Sequence, residues 1–175
     1  MRFEVALESW HDFFLISGGA AAALAGLLFV GLSIHLRAVI SETEVRGLAR
    51  VTLTNFTLLL LVALFLTIPA SLPAGTGIEL LVIGGSSVVI TTPRVVAGIR
   101  QRSTLRLLLV LYRFGLSWLA YLGLVAIGVL FVLGDYEDAL SWLVAVVAVL
   151  FLLSIRNTWD LLVTVGEATG TDRQG

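Results

Sequence analysis

Apolar residues in this chain gather into long blocks broken by short polar or charged punctuation, with little of the alternation that marks amphipathic surface helices or half-buried strands. Five blocks are long enough, or nearly so, to cross a bilayer: residues 13–36, 48–69, 77–99, 105–133 and 139–156. At ~1.5 Å per residue, a helix of about 20 residues covers the ~30 Å hydrocarbon layer. The pattern predicts an all-α polytopic transmembrane helix bundle with five crossings. It forms a single domain over residues 1–168, followed by a disordered tail at 169–175.

Each block carries its own signals. Phe3, Leu7, Trp10 and Phe14 share one stripe at helical spacing, with Glu4, Glu8, His11 and Asp12 on another face. This predicts a short interfacial N-terminal helix. In the first crossing Gly18, Ala22 and Gly26 fall four apart, with Gly19 and Ala23 beside them. Lipid gives helices no hydrophobic reason to associate, so small residues that admit close backbone approach mark a helix-packing face. Ser41 and Glu44 match a capping box ahead of the second crossing, whose first turns, from Glu42, should stand in water. In the third block, Gly84-Gly85-Ser86-Ser87 interrupts the apolar run and Pro93 kinks or ends it. A re-entrant hairpin is the rival to a crossing there. Ser103 is the expected N-cap of the fourth crossing, and LLVTV after Asp160 is a candidate for a surface extension of the fifth.

Charge resolves the threading. All eleven basic residues are arginine. With five crossings, Arg37, Arg46, Arg50, Arg94, Arg100, Arg102, Arg106, Arg113, Arg156 and Arg173 fall on alternate loops, and Arg2 alone lies opposite. Basic loops stay cytoplasmic, so the third block should cross, with the N-terminus out and the C-terminus in. The arginine clusters should meet anionic lipid headgroups on the cytoplasmic side.

Composition agrees. The 175 residues are 58% hydrophobic and 13% charged, with a mean hydropathy of +1.03. A soluble domain carries about 25% charged residues. With no cysteine, thiolate metal sites and disulfides are excluded. The three acids among the first twelve residues disfavour a cleaved signal peptide.

Candidate chemistry is sparse. No zinc-helix, nucleophile-elbow or phosphate-loop motif is present. His11 and His35 fall on opposite sides of the membrane, so neither a metal nor a cofactor is expected, and nucleic acid is not an expected partner. Asn55, with Thr52 on its face, must find another helix or water; it is either a ligand contact or an interhelical hydrogen bond. Arg113 either snorkels to the headgroups or holds an anion. His35, near the inner boundary, could sense pH. Glu79 either caps the positive end of the third helix or draws cations to an outer mouth. His35, Asn55 and Arg113, with Ser86, Ser87, Thr91 and Thr92, could line a shallow inner vestibule for a ligand or lipid phosphate.

The stretch WHDFFLISGGAAAALAGLLFVGLSIHL, residues 10–36, resembles the opening of an uncharacterised group of small bacterial integral-membrane proteins, with their aromatic pair, Gly/Ala run and GLLFV core. The resemblance implies a multi-pass protein of the bacterial cytoplasmic membrane and brings no catalytic residues. The expected role is non-catalytic: an assembly or regulatory subunit packing with itself, as a homo-oligomer, or with a larger membrane protein complex. The alternative is a small oligomeric channel or carrier, for which a mid-membrane acidic residue is missing.

Overall fold

The computed structural model describes residues 3–41, 43–68, 72–100 and 115–171, and all of its regular structure is helical. In chain order the helices are α1 (Phe3–Ile34), α2 (Leu36–Ser41), α3 (Thr43–Thr67), α4 (Pro73–Arg100), α5 (Leu116–Leu133) and α6 (Tyr136–Thr171). Five of them, all but α2, are long and apolar enough to cross a membrane. Their outer surfaces are lined with exposed Leu15, Ile16, Leu27, Phe29, Val82, Val89, Leu119 and Leu152. An apolar exterior this extensive suits a multi-pass membrane protein.

Several boundaries differ from those expected. Residues 3–34 form one unbroken helix, so the N-terminal stripe is no separate element. Phe3 and Phe14 are buried, Leu7 and Trp10 pack onto the core, and Phe3 meets Phe131 edge-on at 5.9 Å. A short helix, α2, follows the break at His35 and was not anticipated. The third block is one continuous helix from Pro73, through Gly84-Gly85-Ser86-Ser87 and Pro93, to Arg100. Pro73 suits a first helical position because its missing N–H is an orphan there anyway. The helix therefore starts four residues ahead of the expected boundary at 77. The segment after Arg156 extends α6 without a break to Thr171. The Ser103 cap, the start of the fourth crossing, Arg113, the Glu44 side chain and residues 172–175 lie outside the described residues.

The α5–α6 turn is built on Gly134, whose φ of 91° is left-handed. Its N–H returns to the Phe131 carbonyl and that of Asp135 to the Leu130 carbonyl, satisfying acceptors that a helix end leaves open.

Sequential helices run antiparallel, and α3 is the central one. It packs against α1, α4 and α6, burying Val51, Phe56, Leu58, Leu59, Val62 and Leu66. Gly18 of α1 lies against Ala63 of α3, and Gly31 of α1 against Leu162 of α6. Thirteen residues separate Gly18 from Gly31 on α1, and thirteen separate Ala63 from Arg50 on the antiparallel α3. Arg50 therefore stands level with Gly31 and Leu162, at the end of the bundle that also carries Arg46, His35 and Arg156. Trp142 and Trp159 are both exposed on α6, about 25 Å apart along its axis. This approaches the thickness of a hydrocarbon layer and matches the aromatic belts of membrane helices.

The tightest contact is between α4 and α5. A Cβ on Gly77 would sit 2.8 Å from the Gly128 carbonyl oxygen, and one on Gly128 would sit 2.9 Å from that of Gly77. Only hydrogen fits at these two positions. Gly84, one heptad along α4, lies against Leu124 and the Tyr121 carbonyl. Since burial against protein gains no hydrophobic energy over exposure to lipid, this fit and its dispersion energy bind the helices.

Candidate functional site: a buried polar triad and a lateral groove

Asn55 lies three turns into α3, completely buried. Its Nδ2 donates to Ser117 Oγ at 3.2 Å, and its Oδ1 accepts from the Tyr121 hydroxyl. Ser117 and Tyr121 are four residues apart on α5, so one helical face presents both hydroxyls to the amide. Tyr121 is completely buried and Ser117 is 1% exposed. The amide is thus committed to a neighbouring helix. Thr52 is buried on the same side of α3, and its hydroxyl donates to the Leu48 carbonyl at 2.9 Å, outside the triad. A second link joins α5 to α4, where Trp118 Nε1 donates to Thr92 Oγ1 at 3.1 Å.

Among the described residues expected to form an inner vestibule, Ser86 and Ser87 share the α3–α4 groove, while His35, Asn55 and Thr91 have their bonds elsewhere. His35 sits at the α1–α2 break, with Nδ1 donating to the Gly31 carbonyl at 3.2 Å. Asn55 is inside the triad, and Arg113 is outside the described residues. Thr91 is buried, and its hydroxyl donates to the Ser87 carbonyl at 2.7 Å. Glu79 falls in the second turn of α4, because the helix begins at Pro73, and the N-terminal field fades beyond the first turn. Its Oε2 is buried with no hydrogen-bond partner among the described residues, as is Thr76 Oγ1 three residues earlier.

The small-residue stripe of α1 divides. Gly18 packs within the chain on Ala63, but Gly19, Ala22, Ala23 and Gly26 face outward, and a Cβ on Gly19 or Gly26 would meet nothing. Within the bundle, α1 packs instead through Phe14, Ala21 and Leu28, a strict heptad row.

An open groove of about 280 Å³ runs between α3 and α4. One wall is the α3 stripe Arg50, Leu53, Thr54, Thr57, Leu58 and Leu61; the other is Ile83, Ser86, Ser87 and Ile90 of α4. Most of its hydroxyls are turned away from it in bonding: Thr54 donates to the Arg50 carbonyl at 2.8 Å, while Ser86 and Ser87 donate to that of Ile83 at 2.9 and 2.8 Å. Residues that look polar in sequence therefore line a largely apolar trough.

Four features escaped the sequence reading. They are the Gly77–Gly128 contact, the partners of Asn55, the α1 row that packs inward, and Arg50 at the head of the groove. Gly77 and Gly84 at heptad spacing, and a lone tyrosine inside the apolar run of α5, were the available signals.

Comparison with protein-family models, curated proteins and solved structures yields no match to this chain.

Proposed function

We propose that this is a non-catalytic subunit of the bacterial cytoplasmic membrane, N-terminus out and C-terminus in, which assembles with itself or with a larger membrane complex through the outer face of α1. The observation carrying this reading is the outward row Gly19, Ala22, Ala23 and Gly26, bordered by exposed Leu15 and Phe29. A helix that spends its small residues outside its own bundle keeps a flat strip against which a second helix can approach closely. The gathering of Arg46, Arg50 and Arg156 at one end of the bundle supports the orientation. The channel reading is weakened, because Asn55 is spent on Tyr121 and Ser117, and Ser86 and Ser87 on their own helix.

The same geometry supplies a clean test. A Cβ at Gly19 or Gly26 meets no described atom within 4 Å, so leucine there should leave the fold unaffected while it obstructs intermolecular contact. Gly19→Leu and Gly26→Leu should retain the wild-type circular dichroism and thermal transition. Mass measurement in detergent-free membrane discs should show smaller assemblies. Unchanged assemblies for both variants refute α1 as the contact face.

A further inference from the structure

The α3–α4 groove is half a membrane deep and has a cation at one end. Arg50 and Leu61 are eleven residues apart on α3, or about 16 Å along the helix. One leaflet of hydrocarbon is about 15 Å thick, half of the ~30 Å layer. Arg50 stands at the level of Leu162, one turn from the exposed Trp159, which places its guanidinium at the headgroup boundary. From there the trough descends past Leu53, Thr57 and Ile90 to Leu61 and Ile83, near the bilayer centre.

We propose that this groove binds one anionic glycerophospholipid of the arginine-side leaflet, with its phosphate on Arg50 and one acyl chain laid between α3 and α4. Three observations select this occupant. The Arg50 side chain is exposed and has no ion-pair or hydrogen-bond partner among the described residues, so its charge is available to a phosphate. Below it, Ser86, Ser87 and Thr54 are bonded to backbone carbonyls, which leaves a wall suited to methylenes and poor for water or a free ion. The volume, about 280 Å³, lies just below the ~300 Å³ at which small-molecule pockets begin. It accommodates a length of chain, while the rest of the lipid stays in the bilayer. Basic pockets between helices on the inner face are the established chemistry for anionic headgroups. The site is independent of α1, which lies on another side of α3.

The test uses the full chain in membrane discs of equimolar phosphatidylglycerol and phosphatidylcholine, released into a mass spectrometer so that retained lipids are counted. The wild type should keep one phosphatidylglycerol in preference to phosphatidylcholine, and Arg50→Gln should reduce that preference roughly fivefold, the share of one arginine near an anionic surface. Ile90→Trp, at an exposed position in the trough, should reduce retention of both lipids by filling the chain channel. Inorganic phosphate at millimolar concentration should not displace the lipid. Equal retention by wild type and Arg50→Gln, or retention untouched by Ile90→Trp, overturns the proposal. Displacement by phosphate alone overturns it in favour of a free-anion site.

Discussion

Tyr121→Phe removes one oxygen atom and almost no volume, yet it should be among the more damaging conservative changes in this bundle. The lost hydroxyl is the donor to Asn55 Oδ1, and both residues are completely excluded from solvent. Interhelical hydrogen bonds in membranes are worth about 0.6 kcal/mol on average and up to about 1.7. An orphaned buried acceptor costs about 1–3 kcal/mol. Because Asn55 keeps its second bond to Ser117, the expected loss lies at the lower end, about 1–2 kcal/mol. Asn55→Leu should cost a similar amount by orphaning the Tyr121 hydroxyl. The double variant Asn55→Leu/Tyr121→Phe removes both the amide and the phenol, leaving only Ser117 Oγ without its donor, and should recover about 1 kcal/mol relative to the sum of the single changes. Reversible unfolding in mixed micelles, titrated with dodecyl sulfate and followed by far-ultraviolet circular dichroism, measures all four proteins. Additive single changes, or a Tyr121→Phe cost below about 0.3 kcal/mol, would show that Asn55 faces water or a ligand and would refute the triad.

Two further predictions use the same unfolding assay. Gly128→Leu must push α4 from α5, since its Cβ would lie 2.9 Å from the Gly77 carbonyl oxygen and 3.1 Å from the Leu81 nitrogen; a loss of about 1–3 kcal/mol is expected, whereas Gly85→Ala, with nothing near its Cβ, should gain about 0.5–1 kcal/mol. Equal effects of the two would deny the close approach of α4 and α5. Thr76→Val replaces a buried hydroxyl that has no partner among the described residues by a methyl group of similar size, and should be neutral or stabilising; a loss above about 1 kcal/mol would reveal a bond to that oxygen.

Asn55 illustrates how far residue patterns reach. An amide within an apolar run must be satisfied, because lipid offers it no partner, and its inward position follows from that alone. Its partners, 62 and 66 residues further along, follow only from how α5 lies against α3. The serines and threonines of α4 mislead in the opposite direction. They suggest a polar path, but a helix offers each hydroxyl a carbonyl one turn back, and most take it. The capping role expected of Glu79 fails because α4 already begins at Pro73, so the apolar run does not start where its helix does.

Long apolar blocks were enough to predict the five helices, among the described residues, that are long and apolar enough to cross a membrane. The reason is local: a segment in lipid must satisfy its backbone within itself, so length and hydropathy specify a helix without reference to its neighbours. Which faces meet is a different kind of question. In water, the apolar stripe of a helix announces its buried side. Here lipid and core are equally apolar, so α1 looks alike all round, and its small-residue line was as plausible an inner face as Phe14, Ala21 and Leu28. Shape decided it: the fit of Gly77 to Gly128, of Gly18 to Ala63, and the looser seam between α3 and α4 that leaves the groove. Those fits exist only between surfaces already brought together, so no stretch of the chain states them alone.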